Sequence, residues 1–469
     1  MRLLLTIAFT AALFGADDGV LSRVAAHEDH FGEVSRKIWE TPELGFHETK
    51  SSALLQQELT RDGFEVHAGV AGMPTAFTAS YGSGKPVIVL LGEFDALPGL
   101  SQKDSPEQSP VTAGAPGHGC GHNLLGSASA LAAVAIKEEM EARQLKGTIR
   151  YYGTPAEEGG GGKIYMIHAG LFADVDVVLA WHPMDANRVD LSSVLANNGG
   201  RFRFYGVASH AAVAPERGRS ALDGAMIMLN AIEFLREHVP QETRIHYIIT
   251  NGGSAPNIVP AFAEVSLMAR HPDAGELENI WARILKCAQA GALASETRME
   301  FVQGTNYANI LPNDALNDVL GRAMRKAGGY EYTPAEREFA EKMQKTLGTA
   351  INKDGPETLH ISRDEGYASA STDVGDVSWV VPTGNFVAAT FVPGVVPHTW
   401  QAAACAGSSI GRKGMTVAAR TLALAGIDLL ENPAEVDAAK QAFQKRLAGR
   451  AWTTHIAKDA KPPLDYAVQ

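Results

Sequence analysis

Three short apolar runs, Val87–Leu91, Thr148–Tyr152 and Val175–Ala180, each break off into a polar or Gly/Pro-containing segment. This pattern constrains the fold more than any other feature of the chain. Runs of this length, rich in β-branched or aromatic residues, read as strands of a parallel sheet buried on both faces. Helical stretches at Leu124–Met140 and Lys163–Ala169 lie between them, and strand–helix alternation implies an α/β fold. The first run leads into Gly92-Glu93-Phe94-Asp95, the second into Pro155-Ala156-Glu157-Glu158, and the third into Trp181-His182-Pro183. Open α/β sheets build their sites beyond the carboxyl ends of strands, so these segments are expected to meet at one rim.

From about Arg201 the rhythm changes. Strands are expected at Arg201–Val207, Arg244–Thr250, Ala263–Ala269 and Thr297–Gln303, with helices at Ser220–Glu237 and Ala274–Ser295. The order β-α-β-β-α-β is that of a ferredoxin-like α+β unit. Its position suggests an insertion at 199–308 into a discontinuous unit made of 20–198 and 309–431. Beyond it, Leu316–Ala327 and Thr333–Leu347 read as helices, 352–366 as loop, Val377–Val381 and Phe386–Phe391 as strands, and Met415–Leu430 as a helix. The segment 432–469 reads as a peripheral tail with one charged helix.

With 469 residues, 45% hydrophobic and 20% charged, the chain suits a soluble globular protein of more than one domain. A net charge of −12 argues against nucleic acid or an anionic membrane as partner. Met1-Arg2 and the apolar run Leu3–Phe14, closing near residue 16, resemble a short secretory signal. A periplasmic or secreted enzyme is expected if that signal is real, and a cytoplasmic one otherwise. Three cysteines, Cys120, Cys287 and Cys405, do not make a disulfide framework.

The chemistry rests on Cys120 and His122 of Gly-His-Gly-Cys-Gly-His, with Glu158, His182 and His398. A soft thiolate, imidazoles and a carboxylate suit zinc or a neighbouring transition metal. Two cations are expected, with Cys120 as the bridge between them and open positions left for water and substrate. Neighbouring side chains of an extended segment diverge. Glu158 is therefore assigned to metal and Glu157 to proton transfer. Asp95 is expected to stand behind a histidine ligand as its hydrogen-bond partner. His118 supports the loop. Gly407-Ser408-Ser409-Ile410-Gly411 fits G-x-S-x-G, which raises a serine hydrolase using Ser409, but a nucleophile elbow needs a strand before it.

These segments resemble the M20 family of metallopeptidases and amidohydrolases, in particular its aminobenzoyl-glutamate hydrolase B-subunit-like branch. Gly92–Ser101, Gly117–Gly126, Glu157–Gly160, Trp181–Pro183, Ala208–Ala212, Gly218–Asp223, Ser371–Trp379 and Pro397–Gln401 carry the likeness. The resemblance implies a zinc-exopeptidase-like catalytic domain with a mixed, largely parallel sheet and an inserted dimerisation or lid domain. It implies two divalent ions, zinc or manganese, held by Cys120, His122, Glu158, His182 and His398, with Glu157 as base. It adds His210, which in the family reaches the neighbouring subunit's site. Asn257 and Arg270 look like carboxylate binders. The implied activity is hydrolysis of the amide in N-acyl, aroyl or aminoacyl amino acids. A dipeptidase is the alternative, and a metal-binding relative without activity stands further off. The implied assembly is a homodimer or a heteromer with a homologous subunit. Glu93-Phe94-Asp95 departs from the His-x-Asp of many members and agrees with the cysteine-containing branch.

Overall fold

The computed structural model describes residues 16–348 and 354–467. The signal-like run before Ala16 lies outside them. Among the described residues twelve strands form two sheets: β1 Glu65–Ala68, β2 Phe77–Ser83, β3 Val87–Gly92, β4 Gly147–Gly153, β5 Val177–Met184, β6 Asn187–Val194, β7 Ala196–Tyr205, β8 Arg244–Asn251, β9 Phe262–His271, β10 Arg298–Tyr307, β11 Leu359–Ala368 and β12 Thr383–Ala389. The larger sheet has the order β1-β2-β4-β3-β5-β12-β6-β11. β3 is parallel to β4 and β5, and β12 is parallel to β5. β1 and β2 add an antiparallel edge. The sheet is thus mixed and largely parallel.

Successive residues of β3 show why its apolar run is continuous. Ile88 and Leu90 join one core with Leu131, Val134 and Leu422, while Val89 and Leu91 join another with Tyr152, Met166 and Val178. Each strand residue is buried because both faces are covered. The first face is filled by the helix His122–Arg143, whose many Ala, Ser and Gly residues let it sit between the sheet and the helices Ala16–Glu40 and Ser409–Glu431.

The smaller sheet runs β10-β7-β9-β8, antiparallel throughout. Phe202, Phe204, Val265 and Leu267 turn toward the helices Ala221–Leu235 and Ala274–Ala294 and form a separate core with Trp281. This is the ferredoxin-like unit that the element order predicts.

Four expectations need correction. The segment 352–366 is not all loop: from Leu359 it is β11, parallel to β6 at the sheet edge. Its far half is exposed, which explains the polar sequence. Val377–Val381 is not a strand. Val374–Ser378 is a single helical turn, and Val377 and Val381 are buried by the turn that follows rather than by a sheet. Trp181-His182-Pro183 lies within the last residues of β5 rather than past it.

The tail after Asn432 is not peripheral. Arg450 pairs with Asp273, Trp452 Nε1 donates to Asp376 at 2.8 Å, and Ile456, Ala460, Leu464 and Tyr466 pack on the second core. Asp376 also accepts from the backbone N–H of Ala308 at 3.2 Å. Burial pushes its carboxyl up to about 8, against the pull of those two hydrogen bonds. The folded chain therefore keeps a proton that the unfolded chain releases near the ordinary 3.8. This contribution to stability is complete below that value and is lost as the pH climbs to about 8. Asp376→Asn is expected to flatten the decline by up to about 1.4 kcal/mol per pH unit. Urea titrations from about pH 5 to about pH 8 read this directly, and parallel curves for the two proteins would refute it.

Candidate metal centre and its surroundings

The rim where β3, β4 and β5 end gathers the predicted ligands. Gly121 takes a left-handed conformation (φ 77) and caps the helix that starts at His122. A Cβ there would meet Pro183 at 2.9 Å, so the Cys120–His122 turn can lie against the end of β5 only with glycine in that place. The backbone N–H of His398 donates to the Gly119 carbonyl at 2.8 Å, which ties the two distant loops together. His398 itself is in a left-handed conformation (φ 63), a strained state for a non-glycine residue of the kind that concentrates at functional sites.

Cys120 is common to two groups of donor atoms. In one, Cys120, His122 and His182 offer atoms that all lie within 4.8 Å of one another; in the other, Cys120, Glu158 and His398 do so. Cys120 Sγ is 3.5 Å from His182 Nε2, and His398 Nε2 is 3.2 Å from a Glu158 oxygen. His182 turns Nδ1 to the Pro183 carbonyl at 2.9 Å and His122 turns Nδ1 to Asp95 at 2.8 Å. Partners of this kind fix the tautomer and leave Nε2 free for an ion. Asp95 also accepts from the backbone N–H of Glu158 at 3.0 Å, so one carboxylate orients a ring and a loop.

Glu157 is buried, and Glu158 is half-buried beside it. They sit in a turn rather than an extended segment; Glu158 shares a donor group with Cys120 and His398, and Glu157 shares one with Glu93 and His122. The first residue of the turn, Ala156, is left-handed (φ 58), with its N–H held by Glu48 at 2.8 Å. Tyr307, at the end of β10, donates its hydroxyl to the Glu157 carbonyl at 3.1 Å. Burial, then Glu93 and Glu158, hold the Glu157 carboxyl well above the usual range. Burial and then Glu158 likewise raise the Cys120 thiol. Burial works against a charged His122 ring, yet Cys120 and Asp95 outweigh it and raise that pKa well above the ordinary value.

Three buried atoms here make no hydrogen bond among the described residues: Glu93 Oε2 and His122 Nε2, which face each other at 3.2 Å, and Glu158 Oε1. Lone pairs buried without a donor are costly, and cations would satisfy them. Thiolate, imidazole and carboxylate form a donor set for transition-metal ions. The residues present therefore fit a metal pair.

Behind the cluster lies a group that sequence reasoning missed. Lys163, wholly buried, donates to Glu93 at 2.7 Å and to Asp373 at 2.6 Å. Glu93 in turn approaches His122 Nε2 at 3.2 Å. The available signal was a lysine inside an otherwise apolar helix, Gly162–His168.

His210, Asn257 and Arg270 belong to the smaller unit. His210 and Asn257 are neighbours: Ala211 N donates to the Asn257 carbonyl at 3.0 Å, and His210 pairs with Ile258. Among the described residues none of the three hydrogen-bonds or ion-pairs with the cluster. Arg270 is half-buried, and burial lowers its pKa. Its guanidinium meets only Met268 Sδ, at 3.3 Å, with no carboxylate in ion-pair range among the described residues. Ser409 opens a helix that follows another helix, Trp400–Ala406, so no nucleophile elbow forms.

A peptidase dimerisation domain model matches residues 197–296. Over 466 residues the chain is 38% identical to the B-subunit of the p-aminobenzoyl-glutamate hydrolase of Escherichia coli, covering 94% of this chain and 97% of that one. The chain belongs to the M20 family. The human Xaa-Arg dipeptidase is 32% identical over 436 residues, with 89% and 90% covered. Among solved structures, a dinuclear metal-binding M20 peptidase from Bacillus subtilis shares the fold at a TM-score of 0.57 and 18% identity, covering 87% of this chain and 99% of that one. This M20 chain is a metal-dependent hydrolase of amide C–N bonds. Among its described residues no helix is long and apolar enough to cross a membrane.

Proposed function

We propose that this chain cleaves the amide joining an acyl, aroyl or aminoacyl group to an amino acid, with p-aminobenzoyl-glutamate as the model substrate. In this reading Cys120, His122, His182, Glu158 and His398 would hold two divalent ions, zinc or manganese, with Cys120 common to both donor groups. The observation that carries it is the sulfur of Cys120 common to both donor groups. When bound, such ions polarise the scissile carbonyl and lower the pKa of water.

The chain's own residues do the rest. Glu157 takes the proton from the attacking water and returns it to the leaving amine nitrogen. Asp95 keeps the His122 ring and the Glu158 backbone in place. Arg270, without a carboxylate partner among the described residues, and Asn257 take the substrate carboxylate, for which a guanidinium is well shaped. His210 serves the neighbouring subunit's site.

A discontinuous catalytic unit at 20–198 and 309–431 with a lid or dimerisation unit at 199–308 belongs to the same proposal. β8 ends the smaller sheet, and Ile248 and Ile249 are exposed on it. An apolar edge of this kind suits a second copy or a homologous subunit. Sedimentation velocity is expected to give twice the chain mass, and a monomer at micromolar concentration would count against it. Export to the periplasm or beyond follows if the Leu3–Phe14 run is removed, which N-terminal sequencing of the native protein decides.

Metal analysis joined to an activity panel tests the reaction. The panel holds p-aminobenzoyl-glutamate, N-acyl amino acids and Xaa-Arg dipeptides, each with and without chelator. About two ions per chain are expected, with chelator-sensitive release of the amino acid from the aroyl or acyl substrates. Faster cleavage of dipeptides would move the assignment to a dipeptidase. Chelator-resistant turnover would reject the reading.

A further inference from the structure

The turn that carries Glu157 and Glu158 opens on Ala156 (φ 58), a left-handed conformation strained for a residue with a Cβ, while Gly159 (φ 154) and Gly161 (φ 65) supply further positive φ that glycine adopts freely. Such a turn is held in place only where its surroundings over-determine the strained residue. Glu48, Asp95 and Tyr307 hold three of its backbone groups by hydrogen bonds. The backbone of Gly159 and Gly160 carries no side chain to pack, and two aromatic rings close on it instead. A Cβ at Gly160 would stand 2.6 Å from the Phe46 ring, and one at Gly159 would stand 3.0 Å from the Tyr466 ring. The two rings meet edge to face with centroids 5.7 Å apart. The Tyr466 hydroxyl covers Gly45, where a Cβ would collide with it.

Tyr466 reaches this place at the end of a strap that touches both units. Arg450 pairs with Asp273 and lies over Trp379. His455 contacts Glu278 at 2.7 Å, and its N–H donates to Asn306 at 2.7 Å, both on the smaller unit. The strap then crosses to the larger unit, where His168 meets the Ile456 carbonyl at 3.0 Å. Burial raises the Tyr466 phenol pKa, and Asp95, Glu48, Glu158 and Glu157 add to the rise, which marks how near the ring lies to the site.

We infer that Tyr466 is a positioning residue for hydrolysis: its ring, clamped with Phe46 on Gly159-Gly160, sets the turn that aims Glu157 and Glu158. The inference rests on the proposed role of those two carboxylates. Misplacing a reacting group by about 1 Å costs up to about 100-fold in rate. A lost clamp should therefore show in kcat far more than in KM.

The test compares Tyr466→Ala, Tyr466→Phe and a chain ending at Leu464, measured on whichever panel substrate the unaltered enzyme cleaves. Tyr466→Ala and the shortened chain are expected to lose at least about ten-fold in kcat, with KM within about three-fold. Tyr466→Phe keeps the ring and is expected to restore kcat to within about two-fold. Equal kcat for Tyr466→Ala and the unaltered enzyme would overturn the inference. So would a Phe variant as slow as the Ala variant, since the ring would then not be what matters. If Tyr466→Ala fails to fold, the shortened chain and the Phe variant still decide. An unaltered enzyme that cleaves nothing on the panel would defeat the functional reading itself, which is a different outcome from normal turnover insensitive to Tyr466.

Discussion

Glu157→Gln is expected to lower kcat by about two to four orders of magnitude, the range that a positioned general base supplies. The amide keeps the size of the side chain but cannot take a proton from water. The substitution is also conservative for the fold. The Glu157 backbone is held through its carbonyl by Tyr307 and through the neighbouring N–H of Glu158 by Asp95, and neither contact uses the side chain that changes. Removing a buried carboxyl whose ionisation is resisted by burial, Glu93 and Glu158 leaves no unpaired partner behind. Metal content is therefore expected to match the unaltered enzyme, because Cys120, His122, His182, Glu158 and His398 all remain. Elemental analysis and steady-state rates on the same preparation separate the two effects. Turnover above about a tenth of the original would assign proton transfer to another group. A loss of metal in step with activity would make Glu157 a ligand instead.

Much of this site was legible in the sequence because its logic is local. Cys120 and His122 are two residues apart, Glu157 and Glu158 are adjacent, and the strands that end at this rim read as apolar runs because both faces of the sheet are covered. The smaller unit was legible for the same reason: alternation in β7 and β9 puts Phe202, Phe204, Val265 and Leu267 on one face. What failed was whatever depends on partners far along the chain. β11 looks polar because it is an edge strand with one half in solvent. Val377 looks like strand sequence, yet a single buried helical turn satisfies the same pattern. The strap from Arg450 to Tyr466 reads as loose tail, since Lys458, Asp459, Lys461, Pro462, Pro463 and Asp465 crowd its second half. Only the fold reveals that Trp452 and Tyr466 land on Asp376 and Gly159.

Lys163 is the sharpest case of that non-local kind, and it carries the largest expected effect on stability. On paper it follows a glycine run and opens the helical stretch Lys163–Ala169, with nothing in the sequence to name its partners. In the structure it has no exposed surface and bridges Glu93 and Asp373, which lie 70 and 210 residues away. Its backbone N–H also donates to Asp373 at 3.0 Å. Burial alone would lower the lysine pKa, but Asp373 and then Glu93 raise it above the ordinary value, so the ammonium form is the one the fold requires. Lys163→Met keeps the length and removes the charge, which strands two buried carboxylates. Breaking a buried ion pair from one side typically costs about 3–5 kcal/mol, a large share of the roughly 5–15 kcal/mol that stabilises a typical domain. The expected result is a drop of that size in urea-unfolding free energy. Glu93 would also lose the contact that fixes its carboxyl beside His122, so metal affinity should weaken with it. The triple variant Lys163→Met, Glu93→Gln, Asp373→Asn should recover most of the stability, because neutral groups carry no comparable desolvation penalty. A single variant that unfolds within about 1 kcal/mol of the unaltered chain would mean water or a rearranged neighbour replaces the ammonium at little cost. A triple variant no better than the single would mean the three charges contribute through packing rather than through their mutual neutralisation.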